Sequence, residues 1–212
     1  MARARLDNAR GQLADALNIS VHDIIFTSGG TEANNLVLGN FRHIITSAIE
    51  HDAILAACPD AQIVPVDEHG QVRMDRLEEM LVALEDADKP DILVSVMAAN
   101  NETGTLQPIA EIAKLCREYE VACHSDMIQY LGKQAIDLAA LDLDFASFSA
   151  HKIGGPSGVG ALYCRAGRQL QSLLRGGGQE QNRRAGTENL PGIACFGAAL
   201  AACDNAAAVS QT

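Results

Sequence analysis

Hydrophobic and polar positions along this chain follow two alternating patterns. Short apolar runs that are typical of buried strands are separated by segments in which apolar residues recur every three or four positions, which is typical of amphipathic helices. Strands are predicted at 23–27, 44–46, 62–66, 91–97, 121–124, 144–148 and 158–164. Helices are predicted at 6–17, 31–38, near 52–57, at 74–84 and 108–119, and in the alanine-rich segment 198–208. This alternation predicts an α/β fold, with a mostly parallel sheet covered by helices on both faces.

Length and charge narrow the class of protein. The chain has 212 residues, of which 48% are hydrophobic, which is enough for one large domain or for one domain and part of a second. A net charge of -11 and a pI near 4.9 speak against nucleic-acid binding, because an acidic surface repels phosphates. No apolar run is long enough to span a membrane, and residues 1–7 lack the apolar core of a signal peptide. We therefore expect a cytoplasmic protein that binds neither nucleic acid nor membranes.

Six cysteines occur in the chain, at positions 58, 116, 123, 164, 195 and 203. None forms a CxxC pair, and most fall in apolar helix or strand patterns. We expect buried, reduced thiols at these positions, and neither a disulfide framework nor a metal site. Because apolar burial makes a thiol harder to ionise, none of the six is assigned as a nucleophile.

The segment 148–156 carries the most distinctive chemistry of the chain. An apolar run leads through Ser149 and His151 to Lys152 and then into a glycine-rich turn. These polar residues are therefore expected just beyond the carboxyl end of a strand, where α/β sheets bind their ligands. Partial desolvation there would favour the neutral amine that a Schiff base requires. The simpler alternative is a solvated loop lysine.

Asp126 and Gln129 favour a cofactor role for this lysine. A pyridoxal cofactor needs a carboxylate against its pyridinium nitrogen, so that the ring can withdraw electrons from a substrate carbanion. Asp126 ends a predicted strand, and Gln129 follows as a possible donor to the ring oxygen. An aspartate at a strand end is otherwise often the cap of the next helix. With Lys152, these two residues indicate pyridoxal 5'-phosphate (PLP) chemistry.

Three further loops offer polar groups at the ends of predicted strands. Gly30 and Thr31 open a helix whose N-terminus favours an anion such as a phosphate, although Thr31 is equally suited to cap that helix. His51 follows a strand and could stack on a flat ring, or be a cap or surface histidine. Asn101 offers a neutral amide to a cofactor or substrate, or belongs to an asparagine-rich turn.

In their order along the chain, these loops resemble those of the cysteine desulfurase family, which are PLP enzymes of the fold type I aminotransferase superfamily, class V-like. The resemblance extends over about residues 6–202. The motifs that carry it are Phe26-Thr27-Ser28-Gly29-Gly30-Thr31-Glu32-Ala33-Asn34-Asn35, Glu50-His51, Asn100-Asn101-Glu102, His124-Ser125-Asp126, Ser149-Ala150-His151-Lys152 and Gly176-Gly177-Gly178-Gln179-Glu180. The resemblance implies that residues 1–212 form the large, PLP-binding domain of such a protein.

The resemblance also implies a role for each matched residue. Lys152 is then the Schiff-base lysine and the proton shuttle at the substrate Cα, and His51 is a second catalytic residue that stacks on the ring. Asp126 pairs with the pyridine nitrogen, and Gln129 with the ring oxygen. The remaining matched residues contact the cofactor, its phosphate or the substrate: Gly30, Thr31, Asn101, Ser149 and His151. Thr187 completes the phosphate site of the partner subunit, which implies a homodimer.

The reaction of this family takes sulfur from L-cysteine. Loss of the Cα proton weakens the Cβ–S bond, a cysteine of the enzyme takes the sulfur as a persulfide, and alanine is released. The sulfur then passes to an acceptor protein, such as an iron–sulfur scaffold. The family carries that cysteine, and an arginine for the substrate carboxylate, in a C-terminal small domain, which we expect to be missing here together with the family's N-terminal segment.

Two departures leave the function open. Besides the missing small domain, the bulky pair Met127-Ile128 stands where the family usually has smaller residues beside the ring. One alternative is therefore selenocysteine lysis or another PLP-dependent elimination. The other is a non-catalytic remnant that binds PLP or dimerises.

Overall fold

A seven-stranded sheet lies at the centre of the computed structural model, which describes residues 2–84 and 88–209. The strands are Ile24–Thr27 (β1), His43–Ser47 (β2), Gln62–Val64 (β3), Ile92–Ser95 (β4), Ala122–Asp126 (β5), Phe145–Ser149 (β6) and Gly160–Cys164 (β7). The α-helices in the described ranges are Ala2–Leu17 (α1), Gly30–Leu38 (α2), Asp52–Leu55 (α3), Met74–Ala83 (α4), Ile109–Glu118 (α5), Leu138–Leu141 (α6) and Leu190–Val209 (α7). Short 3-10 turns lie at Val21–Asp23, Lys89–Asp91, Ala150–Ile153 and Gln179–Asn182.

The directions of the strands bring several carboxyl ends to one edge of the sheet. The strand order is β1-β7-β6-β5-β4-β2-β3. The run from β6 to β3 is parallel throughout, whereas β7 is antiparallel to both of its neighbours, β6 and β1. The segment 150–159 is too short for the crossover that a parallel β6–β7 pair would need. The mostly parallel sheet predicted from the sequence is confirmed, and β1 points the same way as β6.

Helices pack on both faces of this sheet, as predicted. On β1, Ile25 belongs to a core cluster with residues of α2 and α3, whereas Ile24 and Phe26 belong to the cluster formed with the other five helices. This is the two-residue alternation of a strand that is buried on both faces. Full burial of a large side chain such as Phe196 stabilises the fold by about 1.5–3 kcal/mol.

The predicted elements are confirmed, with local differences at their ends. β3 stops short of the predicted range 62–66, because Pro65 has no N–H for the ladder. The four-residue helix α6 was not predicted, since so short a segment shows no periodicity. The terminal helix α7 begins well before the predicted 198–208. No helix in the described ranges is long and apolar enough to cross a membrane.

The cysteines are free thiols, and their burial differs from one to another. Cys116 and Cys123 are buried as expected, and so are Cys58 and Cys164. Burial raises the pKa of Cys58, and it raises that of Cys164 to about 11. The expectation of burial was wrong for Cys195, which is exposed on α7, and it holds only in part for Cys203, which is half-buried on the same helix.

Candidate functional site

A cavity of about 300 Å³ lies at the edge of the sheet where five parallel strands end. Residues that follow β1, β2, β4, β5 and β6 form its wall: Gly30, Thr31, His51, Ala53, Met97, Ala99, Asn101, Asp126, Ile128, Gln129, Ser149, His151 and Lys152. This volume is at the lower end of the range for small-molecule sites. The structure therefore brings together every site residue predicted from the sequence except Thr187.

Asp126, at the end of β5, is fixed by two hydrogen bonds. The Ile128 N–H donates to its Oδ1 at 3.0 Å, and Asn34 Nδ2 donates to its Oδ2 at 2.7 Å. Burial raises the pKa of Asp126 above its usual range, and the two hydrogen bonds oppose that shift. Asp126 is not a cap of an α-helix, because the next one in the described chain, α6, begins only at Leu138. Its oxygens are held in place at the cavity wall, suited to a cationic nitrogen.

Asn34 is a site residue that the sequence analysis did not identify. It is fully buried on α2, and its amide reaches Asp126, 92 positions along the chain. Its Oδ1 is buried without a hydrogen-bond partner. The available signal was a polar residue on the buried face of an otherwise apolar helix, between Ala33 and Leu36. Asn34 orients the carboxylate from behind the cavity wall.

The N-terminus of α2 faces the cavity through Gly30 and Thr31. The predicted cap at Thr31 is wrong: Gly29 is the N-cap, and no side chain caps the helix. The N–H groups of the first turn are thus left for a ligand or for water. The Ser28 N–H is not among them, because it donates to Glu32 Oε2 at 2.7 Å.

The glycine at the start of this helix lies close to its neighbours, and a larger residue there would require Ile128 to move. A Cβ atom at Gly30 would lie 2.0 Å from Ile128 Cδ1, and 3.7 Å from the Cβ of Ser149. The bulky Ile128, which the sequence analysis noted as a departure, therefore packs directly against the glycine that opens α2. The close approach places Ser149 beside the free N–H groups.

The end of β6 supplies Ser149, His151 and Lys152. Ser149 is buried, and its Oγ lies 2.8 Å from Nδ1 of His151. The following 3-10 turn ends at Gly154, which has a φ of 81°, a left-handed conformation that favours glycine. Lys152 is exposed at the cavity wall, so the partial desolvation expected for it was wrong. The turn carries the lysine past the edge of the sheet, where the other elements do not cover it.

His51 is both a helix cap and a residue of the cavity wall. The Ala53 N–H donates to its Nδ1 at 3.0 Å, which makes His51 the N-cap of α3. The neutral imidazole must therefore carry its proton on Nε2. The cap alternative considered from the sequence is confirmed, and the ring still lies in the cavity wall.

Two asparagines have different positions in the loop after β4: one stabilises the loop and the other lies in the cavity wall. Asn100 Oδ1 accepts hydrogen bonds from the N–H groups of Glu102 and Thr103, both at 2.9 Å. The asparagine-rich turn considered from the sequence is thus built by Asn100. Asn101 is exposed and lies in the cavity wall.

Gln129 and Thr187 complete the set. Gln129 lies in the wall, and its Oε1 accepts from Lys133 Nζ at 2.5 Å, so its Nε2 remains a donor for a ligand. Thr187 is exposed, outside the wall of this cavity, in the segment before α7. Arg184 fixes that segment to the first turn of α2 through Glu32, with Nε and Oε1 2.8 Å apart.

Comparisons with known proteins find matches over nearly the whole chain. The aminotransferase class-V family model covers residues 1–211. The cysteine desulfurase IscS of Dictyoglomus turgidum is 41% identical over 213 residues, an alignment that includes 93% of this chain and 52% of that protein. The chain spans about half the length of the curated relatives it matches.

Solved structures of similar proteins share this fold. The X-ray structure of a NifS-like protein from Rickettsia africae has a TM-score of 0.91 and 42% identity, over 96% of this chain and 58% of that one. SspA, solved in complex with cysteine, has a TM-score of 0.81 and 33% identity, over 94% of this chain and 61% of that one.

Proposed function

The chain belongs to the aminotransferase class-V family, and on this premise we propose that it is the PLP-binding part of a cysteine desulfurase. Its reaction would take sulfur from L-cysteine and release L-alanine. The observation that carries the proposal is the cavity in which Lys152, Asp126 and the uncapped start of α2 meet. The relatives are named as cysteine desulfurases, which favours this reaction over selenocysteine lysis and over a non-catalytic remnant. Cytoplasmic location stays a prediction.

The residues in the wall fit each polar group of PLP. The first turn of α2, with Thr31, Ser149 and His151, would hold the phosphate. Asp126 would hold the pyridine nitrogen, and Gln129 the ring oxygen. Asn101 would contact the cofactor or the substrate. When bound, PLP supplies an electron sink for the carbanion at the substrate Cα.

The environment of Asp126 suits a cationic ring nitrogen. Burial weakens screening by water, so a carboxylate here would attract a nearby positive charge more strongly than an exposed carboxylate would. The same burial raises the pKa of Asp126, and a cation at the nitrogen would bring that pKa down again. The ionised Asp126 and a protonated ring would thus stabilise each other.

Lys152 and His51 are the residues proposed to move protons. The amine of Lys152 would hold the cofactor in the cavity, and, when it is free of the cofactor, it would take the proton from the substrate Cα. Nδ1 of His51 is occupied by the Ala53 N–H. Any proton that His51 gives or takes is therefore at Nε2.

Thr187 is proposed to act in the partner subunit of a homodimer. Its exposure, and its place outside the wall of this chain's cavity, support that role. The ion pair between Arg184 and Glu32 would hold the segment at the start of α2, where the phosphate is proposed to bind. A protein that accepts the sulfur is also part of the proposal, and no residue of this chain is assigned to its binding.

Titration with PLP tests this function. We expect a visible absorption band in the wild type and in Lys114→Ala, a matched control on the surface of α5, and no such band in Lys152→Ala. Alanine release from L-cysteine, measured on the same samples, tests turnover. A band that survives Lys152→Ala, or no band in the folded wild type, would overturn the proposed site.

A further inference from the structure

Glu50 is a buried carboxyl group beside the cavity that no role above uses. It directly precedes His51 and is 7% exposed. Its Oε1 accepts two hydrogen bonds, from Ser47 Oγ at 2.6 Å and from the Met97 N–H at 2.8 Å. Its Oε2 is buried without a hydrogen-bond partner. A buried polar atom without a hydrogen-bond partner lowers the stability of the fold, so a carboxyl group at this position needs a functional or structural explanation.

One of the two bonds of Oε1, that from the Met97 N–H, joins two loops of the cavity wall, whereas the bond from Ser47 lies between the end of β2 and the loop that follows it. We call residues 48–51 the β2 loop and residues 96–104 the β4 loop. The β2 loop carries His51, and the β4 loop carries Met97 and Asn101. A second tie between the loops runs from Asn100 Nδ2 to the Ile49 carbonyl oxygen at 3.0 Å. Glu50 is thus the centre of a small set of bonds that fixes one loop to the other.

The β4 loop is attached in turn to the strand that carries Asp126. The Ala98 N–H donates to the Asp126 carbonyl oxygen at 2.9 Å. Glu50 therefore connects, through backbone groups, His51 on one side and the carboxylate of Asp126 on the other. The distance between the side chains of His51 and Asp126 determines how a flat ring would be positioned in the cavity.

The ionisable groups around Glu50 favour its neutral form. Burial raises its pKa to about 8, and the hydrogen bonds from Ser47 and the Met97 N–H oppose that shift without cancelling it. The negative charge of Asp126 on β5 acts in the same direction as burial. The Cys58 thiol, after α3, is also close, and burial together with the charge of Glu50 raises the pKa of that thiol. An ionised Glu50 would place a second negative charge near Asp126, which would make Asp126 harder to ionise and so weaken its pairing with a cationic ring nitrogen.

We propose that Glu50 is a positioning residue: its neutral carboxyl group holds the β2 loop against the β4 loop, and thereby places His51 and Asn101 around the cofactor. The inference rests on the proposed function for its cofactor, whereas the contacts between the loops stand without it. Glu50 does not touch the cavity itself in this arrangement and acts through its neighbours.

The test compares Glu50→Gln and Glu50→Ala with Glu180→Ala as a matched control. Glu180 is likewise a buried glutamate that accepts a backbone N–H, that of Phe26, but it lies outside the cavity wall. Amide hydrogen exchange without PLP should rise in both loops of Glu50→Ala. It should stay at the wild-type level in those loops of Glu50→Gln, a neutral isostere, and of Glu180→Ala.

Affinity for PLP provides the second readout. We expect Glu50→Ala to bind PLP about tenfold more weakly than the wild type, because two buried hydrogen bonds are lost. Glu50→Gln should match the wild type at pH 7. From pH 7 to pH 9 the ratio of affinities, Gln variant to wild type, should rise, because only the wild type ionises at this position. Taking the ratio cancels every pH effect that the two proteins share.

Three results would contradict the proposed positioning role of Glu50. Unchanged exchange in the loops of Glu50→Ala would overturn the proposal, and so would a constant affinity ratio between pH 7 and pH 9, or a Gln variant as impaired as the Ala variant. If Glu50→Ala does not fold, Glu50→Gln and its pH ratio still decide. Loosened loops in a protein whose wild type binds no PLP would instead support the loop contacts and overturn the proposed function.

Discussion

His124 is a buried histidine between two serines in the middle of the sheet. Its Nδ1 lies 2.8 Å from Ser95 Oγ, and its Nε2 lies 3.0 Å from Ser147 Oγ. Burial lowers its pKa from the usual 6.5 of a histidine to about 3. Between pH 3 and pH 6.5, His124 is therefore protonated in the unfolded chain and neutral in the folded chain. The corresponding stability is present above pH 6.5 and is lost as the pH falls towards 3.

Replacement of this histidine should change the acid sensitivity of the fold. We expect His124→Gln to be less stable at pH 7 by about 1–3 kcal/mol, because it disturbs a buried hydrogen-bonded group. Its free energy of unfolding should then fall less steeply than that of the wild type between pH 6.5 and pH 4. Urea unfolding at a series of pH values measures this, with His69→Gln as an exposed control. Equal slopes for His124→Gln and the wild type would contradict the explanation.

Asn34 should matter to the cofactor as much as to the fold. Asn34→Ala leaves Asp126 Oδ2 without its 2.7 Å partner, so the carboxylate should lose orientation and become harder to ionise. We expect PLP to bind about tenfold more weakly. Asn35→Ala is the control, since the side-chain amide of Asn35 donates to the Thr31 carbonyl oxygen on the exposed side of α2 and does not reach Asp126. PLP titration that cannot tell the two variants apart would remove Asn34 from the site.

At the scale of elements, the start of α2 depends on a fit between Gly30 and Ile128. The added Cβ in Gly30→Ala would overlap Ile128, which would have to move within the cavity wall. Such overpacking costs about 1–3 kcal/mol. We expect weaker PLP binding in Gly30→Ala and partial recovery in the double variant with Ile128→Val. A double-mutant cycle on PLP affinity measures the coupling, and additive effects would show that the two residues do not interact.

The sequence predicted elements where one physical cause dominates. Apolar runs identified every strand of the described chain. The signal is clearest for the central strands, because a strand buried on both faces is apolar at nearly every position. The ends of strands were predicted less accurately. β3 ends before Pro65, and the N–H group of Met97, after β4, donates to Glu50 and not to a neighbouring strand. The cap at Thr31 was wrong because α2 begins one residue earlier, at Gly30, so that Thr31 lies inside the first turn.

The loops of the site could be predicted because parallel strands bring their carboxyl ends to one edge. Lys152, Asp126 and His51 therefore lie in one wall although their loops are far apart in sequence. The supporting contacts could not be predicted in this way. Asn34 meets Asp126 across 92 positions and Glu50 meets Met97 across 47, and no local pattern encodes such distances.

At the scale of the whole molecule, the proposed dimer makes a prediction about mixed subunits. Lys152→Ala and Thr187→Ala should each bind PLP poorly alone. A mixed dimer should contain one intact site, formed by Lys152 of one chain and Thr187 of the other. PLP binding that recovers on mixing, with dimers detected by sedimentation, would bear this out. No recovery in a mixture of confirmed dimers would show that Thr187 does not serve the partner.

The most direct test of the central claim is chemical trapping of the cofactor on the chain. The protein is incubated with PLP, reduced with borohydride, digested and mapped by mass spectrometry. The account predicts a pyridoxyl label on Lys152 that is absent from Lys152→Ala. Labelling spread over Lys89, Lys114 and Lys133, or no labelling of the folded protein, would contradict the assignment of Lys152 as the lysine that binds PLP.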